Sequence, residues 1–331
     1  MTQRPGEDAL IARFFRPLAT APGAERLLDD AATYAPPEGH ELVLTTDALV
    51  AGVHFFPGDP PRLLAKKALR VNLSDLAAKG AKPAGYLLTI GFTPDWSDDW
   101  LADFCAGLKE DQEAFGCSLL GGDTVRTPGP MFLSVTALGV VPVGRAPRRT
   151  QAKPGHLIYV TGTIGDAALG LRLRQEPGLK ATWGLTEEEA GHLDGRYLLP
   201  EPRVDAADLV AEFAAAAMDV SDGLAGDLAR MCAASDAGAE LDADRVPLSP
   251  AAAKAVAADP SARVSVLTGG DDYEILMTVA PDRRAAFEAA AKAAGIAVTE
   301  IGTMLPAFEG GVRVLAGGAP MALETLAFRH F

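Results

Sequence analysis

The residues of this sequence best suited to chemistry are its aspartates, because several of them follow apolar runs. Asp47 follows Leu42-Val43-Leu44-Thr45-Thr46, Asp123 follows Leu119-Leu120-Gly121-Gly122, Asp219 follows Ala216-Ala217-Met218, and Asp271 follows Leu267-Thr268-Gly269-Gly270. An acid at the end of a buried run stands at the rim of a core, where clefts form. Asp30 lies in an Asp29-Asp30 pair, and Asp75 interrupts an otherwise apolar helical stretch. Carboxylates gathered in one cleft raise each other's pKa, and a divalent cation removes that conflict. Mg2+ takes hard oxygen ligands and is commonly held by one or two carboxylates together with substrate phosphates. The hydroxyls of Thr45, Thr46 and Ser221 suit the same ligand set. A plainer reading fits the same residues: solvated acids, a helix cap at Ser221 and Asp222, and an ion pair from Asp75 to Lys79 one turn on. The residue types by themselves leave both readings open.

Other catalytic signatures are absent. The sequence has no G-x-x-x-x-G-K-[ST], no G-x-S-x-G and no H-E-x-x-H. Its five histidines, at 40, 54, 156, 192 and 330, show no metal-ligand pairing. The Gly162-Thr163-Ile164-Gly165 turn precedes a predicted helix. Such a turn either faces a phosphate with its N–H groups or only connects a strand to a helix.

These residues must be positioned by a chain of 331 residues, a length that predicts two domains. A net charge of −14 argues against nucleic acid and against an anionic membrane surface as partners. The three cysteines, Cys105, Cys117 and Cys232, form no CxxC pair, which predicts neither zinc nor a disulfide framework and fits a reducing cytoplasm. The N-terminus has no apolar signal-peptide region, and no stretch reads as a membrane span. Apolar spacing predicts helices over 7–19, 61–80, 98–115, 186–193, 204–216, 250–258 and 282–294, and one running to Ala234 with Ser221 as its N-cap. Strands are predicted at 42–44, 86–92, 118–120, 131–141, 156–161 and 275–279. The Arg-, Pro- and Gly-rich segment 144–155 reads as a linker, so we expect domains at 1–148 and 149–331. Leu119–Asp123 and Leu267–Asp271 form a weak internal echo.

Six segments in order resemble the thiamine-monophosphate kinase family, within the aminoimidazole ribonucleotide synthetase-like superfamily. They are TTDALVAGVHF (45–55), KALRVNLSDLAAKGAKP (67–83), GGDTVR (121–126), MDVSDGLAGDL (218–228), GGDDYEIL (269–276) and the terminal HF (330–331). The match runs from about residue 7 to the C-terminus. The resemblance implies an α/β (α+β) fold of two domains. An N-terminal α/β domain would bind metal and ATP and form a shared barrel-like sheet across a homodimer; a C-terminal α+β domain would complete the nucleotide and substrate site. It implies ATP- and Mg-dependent phosphorylation of thiamine monophosphate to thiamine diphosphate, the last step in making that diphosphate. The acceptor oxygen is already anionic, so no general base is expected, and catalysis reduces to metal clamping and alignment.

Carried over position by position, the resemblance implies metal ligands, for several Mg2+ ions, at Asp30, Thr45, Thr46, Asp47, Asp75, Asp123, Asp219 and Asp222. It implies nucleotide contacts at Gly122, Asp123, Arg145 and Ser221, and substrate contacts at His54, Asp271 and Phe328. Arg145 also reads as a solvated linker arginine, and Phe328 as a tail residue plugging the core. Three positions depart from the family pattern. Leu28 replaces a glycine before Asp29-Asp30, Cys105 replaces an aromatic, and Asp271 replaces a glutamate. Two alternatives remain in view: a ribonucleotide-cyclising synthetase of the same superfamily, and a Mg-nucleotide-binding regulator without turnover.

Overall fold

The computed structural model describes residues 6–327. The chain divides into two compact units. One is formed by the residues up to 76 together with 81–144, the other by 77–80 together with the residues from 145 onward.

The first unit opens with α1 (Glu7–Leu10), which widens into a π-turn over Ile11–Phe15 and tightens into a 3-10 turn over Arg16–Leu18. A single regular helix was expected there. Pro17 has no N–H to give to residue 13 and its ring crowds that carbonyl, so regular α pairing cannot run through it. Then follow β1 (His40–Val50), α2 (Pro61–Ala78), β2 (Lys82–Phe92), α3 (Asp98–Phe115), β3 (Ser118–Arg126) and β4 (Phe132–Pro142). Ser97 starts α3 by accepting the Trp100 amide at 3.1 Å, Asp98 and Asp99 sit at its positive end, and Gly116 ends it at φ +67°. The sheet order is β1-β4-β2-β3, with β2 and β3 parallel around the α3 crossover and the other pairs antiparallel. Along β1 the even-numbered residues from Leu42 to Ala48 are exposed and the odd-numbered ones half-buried or buried. One face of the sheet is therefore open, and α2 lies on the other. Arg70 ties α2 to α3, its guanidinium gripping the buried Asp111 at 2.6 and 2.9 Å.

The second unit runs β5 (Leu157–Thr161), α4 (Asp166–Gln175), α5 (Leu179–Thr182), α6 (Glu187–Leu198), α7 (Ala207–Phe213), β6 (Ala216–Asp219), α8 (Leu224–Ala234), β7 (Ala237–Asp242), α9 (Pro250–Ala258), α10 (Pro260–Thr268), β8 (Ile275–Val279), α11 (Arg284–Ala294), β9 (Val298–Pro306), β10 (Val312–Ala316) and β11 (Ala319–Pro320). Its seven-stranded sheet has the order β11-β10-β7-β9-β5-β8-β6 and is mixed, with only β10 and β7 parallel. Apolar side chains pack on both faces. Ile158 and Val160 join one core with α4, α6, α8, α9 and α10, while Tyr159 between them joins another with α7, α11 and Ala77-Ala78. That two-sided burial is why β5 reads as a continuous apolar run. β7, β9, β10 and β11 and the helices α5 and α10 had no counterpart in the sequence reading. The predicted helix 204–216 is shorter: a 3-10 turn over Val204–Ala206, α7, and then Ala216 already in β6. Alanine's helix propensity misled there, because pairing with β8 outweighs it.

Among the described residues, no helix is long and apolar enough to cross a membrane. Cys105, Cys117 and Cys232 are free and buried, and burial pushes their thiols up to about 12, 12 and 11. The thiolate fraction at pH 8 is then on the order of 10⁻³ or less. We expect no reaction with Ellman's reagent in the native protein and three reactive thiols in guanidinium chloride. Rapid native labelling of any of them would contradict this burial.

Candidate functional site

In the first unit, alternation along β1 splits the predicted ligands between the two faces of the sheet. Thr45 and Asp47 share the half-buried face and Thr46 the open one. Thr45 Oγ1 donates to Asp75 Oδ2 on α2 at 2.5 Å, and the Asp47 amide donates to Asn72 Oδ1 on the same helix at 3.1 Å. Asn72 is fully buried and returns a hydrogen bond to Ala68 O at 3.0 Å. α2 therefore fixes Asp75 against Thr45 and holds the backbone at Asp47. Thr46 Oγ1 instead receives Thr136 Oγ1 at 3.1 Å and donates to Val135 O at 3.1 Å.

On the open face lies a cleft of about 710 Å³, walled by the chain before β1 and by β2, β3 and β4. Asp29, Asp30, Gly122, Asp123 and Thr136 line it. Asp30 and Asp123 are both exposed, and the Asp123 side chain accepts its neighbour's amide, Thr124 N, at 2.8 Å. Gly122 is required sterically: a Cβ there would stand 1.8 Å from Leu88 O in the paired strand. The cleft thus gathers Asp30, Gly122 and Asp123, with Thr46 one hydrogen bond from its wall. His54 follows β1 in a tight turn, and its Nδ1 accepts the Val50 amide at 3.0 Å, which puts the proton of the neutral ring on Nε2.

In the second unit, Asp219 ends β6 and is buried, and Ser221 and Asp222 follow it. Ser221 is not a helix cap. The N-cap of α8 is Gly223 at φ +119°, and Asp227 in the first turn takes the amides of Ser221 at 3.1 Å and Asp222 at 3.0 Å. Arg230 bridges Asp227 at 2.5 Å and Asp222 at 2.6 Å. Burial raises the Asp227 carboxyl to about 6, against the pull of the Asp222 amide and Arg230. Asp271 is half-buried at φ +71°, and Tyr273 sits at φ +53°; both are left-handed conformations that side-chain-bearing residues seldom take. Between them Asp272 is buried, and burial holds its carboxyl well above the usual range despite a hydrogen bond from Gly165 N. The buried Glu274 is gripped by Arg203 at Nε (2.6 Å), by Arg196 (3.1 Å) and by Thr161 Oγ1 (2.7 Å). Arg145 is exposed directly after the Val143-Gly144 turn. Phe328 lies outside the described residues.

Several sequence expectations are corrected. Asp47 and Asp123 stand within strands rather than at their ends, and Asp271 follows helix α10 rather than a strand. Leu119–Asp123 and Leu267–Asp271 therefore have different structures, and the echo is not a structural repeat. The 162–165 turn connects β5 to α4, and three of its four amides are engaged: Gly162 N by Ala297 O, Ile164 N by Pro247 O and Gly165 N by Asp272. Sequence reasoning missed Asn72, Asp227, Asp272 and Glu274. All four lie inside motifs already marked, at positions where a polar residue interrupts buried neighbours. Among the described residues, no three His, Cys, Asp or Glu side chains gather closely enough to hold an ion by themselves.

The first unit thus carries an Asp-lined cleft on its open sheet face, and the second carries acid-bearing loops at the end of β6 and ahead of β8 in a mixed sheet. The family profile described as AIR synthase related protein, N-terminal domain, matches residues 28–141, and the corresponding C-terminal domain matches 153–315. The thiamine-monophosphate kinase of Caulobacter vibrioides is 44% identical over 332 residues, covering 98% of this chain and 91% of that protein. The crystal structure of thiamine-monophosphate kinase from Stenotrophomonas maltophilia superposes with a TM-score of 0.82 at 39% identity, over 96% of this chain and 98% of that one. A further structure, AaThiL complexed with AMPPCP and TMP, gives a TM-score of 0.77 at 28% identity over 100% of both chains. The chain belongs to the AIR synthase related family and, within it, to the thiamine-monophosphate kinases.

Proposed function

We propose that this protein transfers the γ-phosphoryl group of ATP to thiamine monophosphate, giving thiamine diphosphate and ADP. The observation that carries the reading is the cleft of the first unit, on the open sheet face, which Asp30, Gly122 and Asp123 line together. AMPPCP is an ATP analogue and TMP an acceptor of the right kind, and both bind the related AaThiL. The donor set is all oxygen, which suits Mg2+ held by a few carboxylates, waters and phosphate. Asp30, Thr45, Thr46, Asp47, Asp75, Asp123, Asp219 and Asp222 would hold the ions. When bound, Mg2+ supplies charge neutralisation between two polyanions.

The chain's own residues do the rest. Gly122 lets the β3 backbone run close to its neighbour without a side chain in the cleft. Ser221 and Arg145 reach the nucleotide, and Arg145 supplies a cation suited to phosphate. His54 and Asp271 face the acceptor, His54 offering its Nε2 proton. Asp271 is one methylene shorter than a glutamate, so its contact runs through water. Cys105 is buried in α3 and provides no stacking surface for a base. The acceptor oxygen needs no base.

The chain works as a homodimer through the open sheet face. Leu42, Leu44, Leu87 and Val125 are 37%, 64%, 41% and 38% exposed there, an apolar surface that a twin subunit would cover. The three free, buried thiols support a reducing, cytoplasmic compartment. The test is chromatography of purified protein with ATP, Mg2+ and thiamine monophosphate, beside an EDTA control, on material whose mass is read by light scattering. Metal-dependent thiamine diphosphate from a two-chain particle is expected. No product from folded, ATP-binding protein would sink the kinase reading, and a single-chain mass would sink the dimer.

A further inference from the structure

In the second unit, two loops that carry proposed ligands of different substrates are laced together but anchored separately. The Asp271 amide donates to Ser221 O at 2.9 Å, the Tyr273 amide to Val220 O at 2.8 Å, and the Val220 amide to Glu274 O at 2.8 Å. The approach is close: a Cβ on Gly270 would stand 2.2 Å from Ser221 O. Each loop then has its own buried acid. Asp227 collects the amides of Ser221 and Asp222 on one carboxylate oxygen and turns the other to Arg230. Asp272 takes Gly165 N on both oxygens, at 2.9 and 2.8 Å, and its own carbonyl accepts Arg196 at 3.3 Å.

The Asp272 anchor opposes a backbone that would otherwise relax. Asp271 and Tyr273, on either side of Asp272, hold left-handed conformations that cost about 1–2 kcal/mol each. Such a turn persists only where its surroundings over-determine it. The Asp272 side chain, tied to the start of α4, supplies that constraint from the middle of the turn. The direction of the Asp271 side chain follows from it. On the other loop, two successive amides point at one carboxylate, so the backbone of Ser221 and Asp222 has one orientation. Arg230 adds a direct tie to the Asp222 carboxylate.

We propose that Asp227 and Asp272 are positioning residues of the kinase reaction: Asp227 sets the nucleotide side through Ser221 and Asp222, and Asp272 sets the acceptor side through Asp271. This rests on the function proposed above. A residue that acts through a ligand-bearing neighbour typically changes affinity by 10–100-fold when replaced. A residue that only holds the fold together lowers the melting temperature without preferring one substrate.

The experiment is steady-state kinetics on Asp227→Asn and Asp272→Asn, with melting temperatures alongside. We expect Asp272→Asn to raise KM for thiamine monophosphate by about 10-fold or more and to leave KM for Mg·ATP within about 2-fold. Asp227→Asn should do the reverse. Unchanged KM values, or both rising together in both variants, would overturn the proposal whatever the melting temperatures do. Should either variant fail to fold, Arg230→Ala on the half-exposed partner of Asp227, and Asp272→Ser, carry the same expected split. Should the wild-type protein make no thiamine diphosphate, the kinase reading falls, and calorimetry with Mg·ATP still decides the anchor roles. A Kd weakened about 10-fold in Asp227→Asn alone supports them; equal Kd in all three proteins removes them.

Discussion

Replacing Asp123 with Asn should lower thiamine diphosphate formation by about 10³-fold or more while the melting temperature stays within about 2 °C of wild type. Asp123 is exposed on β3 and lines the cleft with Asp30. The Asn side chain has the same shape, and its carbonyl oxygen can keep the 2.8 Å hydrogen bond from Thr124 N. Folding therefore loses little, since substitutions at exposed positions usually cost within ±0.5 kcal/mol. What disappears is a negative charge. A carboxamide is a poor ligand for Mg2+, and the repulsion between ATP and the acceptor phosphate is then less screened. Asp47→Asn should act in the same direction. A single-turnover assay with circular dichroism as the folding control makes the distinction. Near-native turnover in either variant would mean that the carboxylates do not clamp metal.

The second large effect falls on stability. Glu274→Ala should destabilise the protein by roughly 3–5 kcal/mol, because it strands two guanidinium groups built to face a buried carboxylate. Glu274 has no exposed surface, and Arg196 is also buried. Arg203 takes both carboxylate oxygens, through Nε and Nη2, and the carboxylate in turn holds the Arg203 guanidinium more firmly protonated. The site has no slack. A Cβ on Gly162 would lie 2.2 Å from Glu274 Oε1 and 2.6 Å from Arg203 Nη2, so Gly162→Ala should perturb the same cluster from the other side. Glu274→Gln keeps the volume and one acceptor and should fall between wild type and alanine. Urea unfolding monitored by tryptophan fluorescence measures all three. A Glu274→Ala midpoint equal to wild type would show that the cluster contributes nothing net.

The sequence by itself determined the kind of elements and the kind of chemistry. Regular apolar spacing located α2, α3, α9, α11 and the central strands β2, β4, β5 and β8. These elements bury whole faces, and burial writes a period into the residues. Four of the six motifs in order also mark Asp47, Asp75, Asp123, Asp219 and Asp222 as a proposed set with one ligand chemistry, which position alone extends to Asp30. Where the reading failed, the deciding force was non-local. β7, β9 and β10 are strands because they pair with one another across the sheet, and nothing in their own residues outweighs that. Ala216 leaves the helix because β8 offers a partner, and the 7–18 segment departs from a regular helix from Ile11 onward, ahead of Pro17.

Only the tertiary structure decided which side chains meet. A period of two along β1 sends Thr45 toward Asp75 and Thr46 toward Thr136, although the three proposed ligands from Thr45 to Asp47 are neighbours in sequence. Asp227, Asp272 and Glu274 read from the sequence as ordinary acids. Their roles come from burial, which makes a carboxylate seek backbone amides or guanidinium groups. Burial depends on how helices and strands far apart in the chain close over a position, and no local pattern of residues encodes that closure.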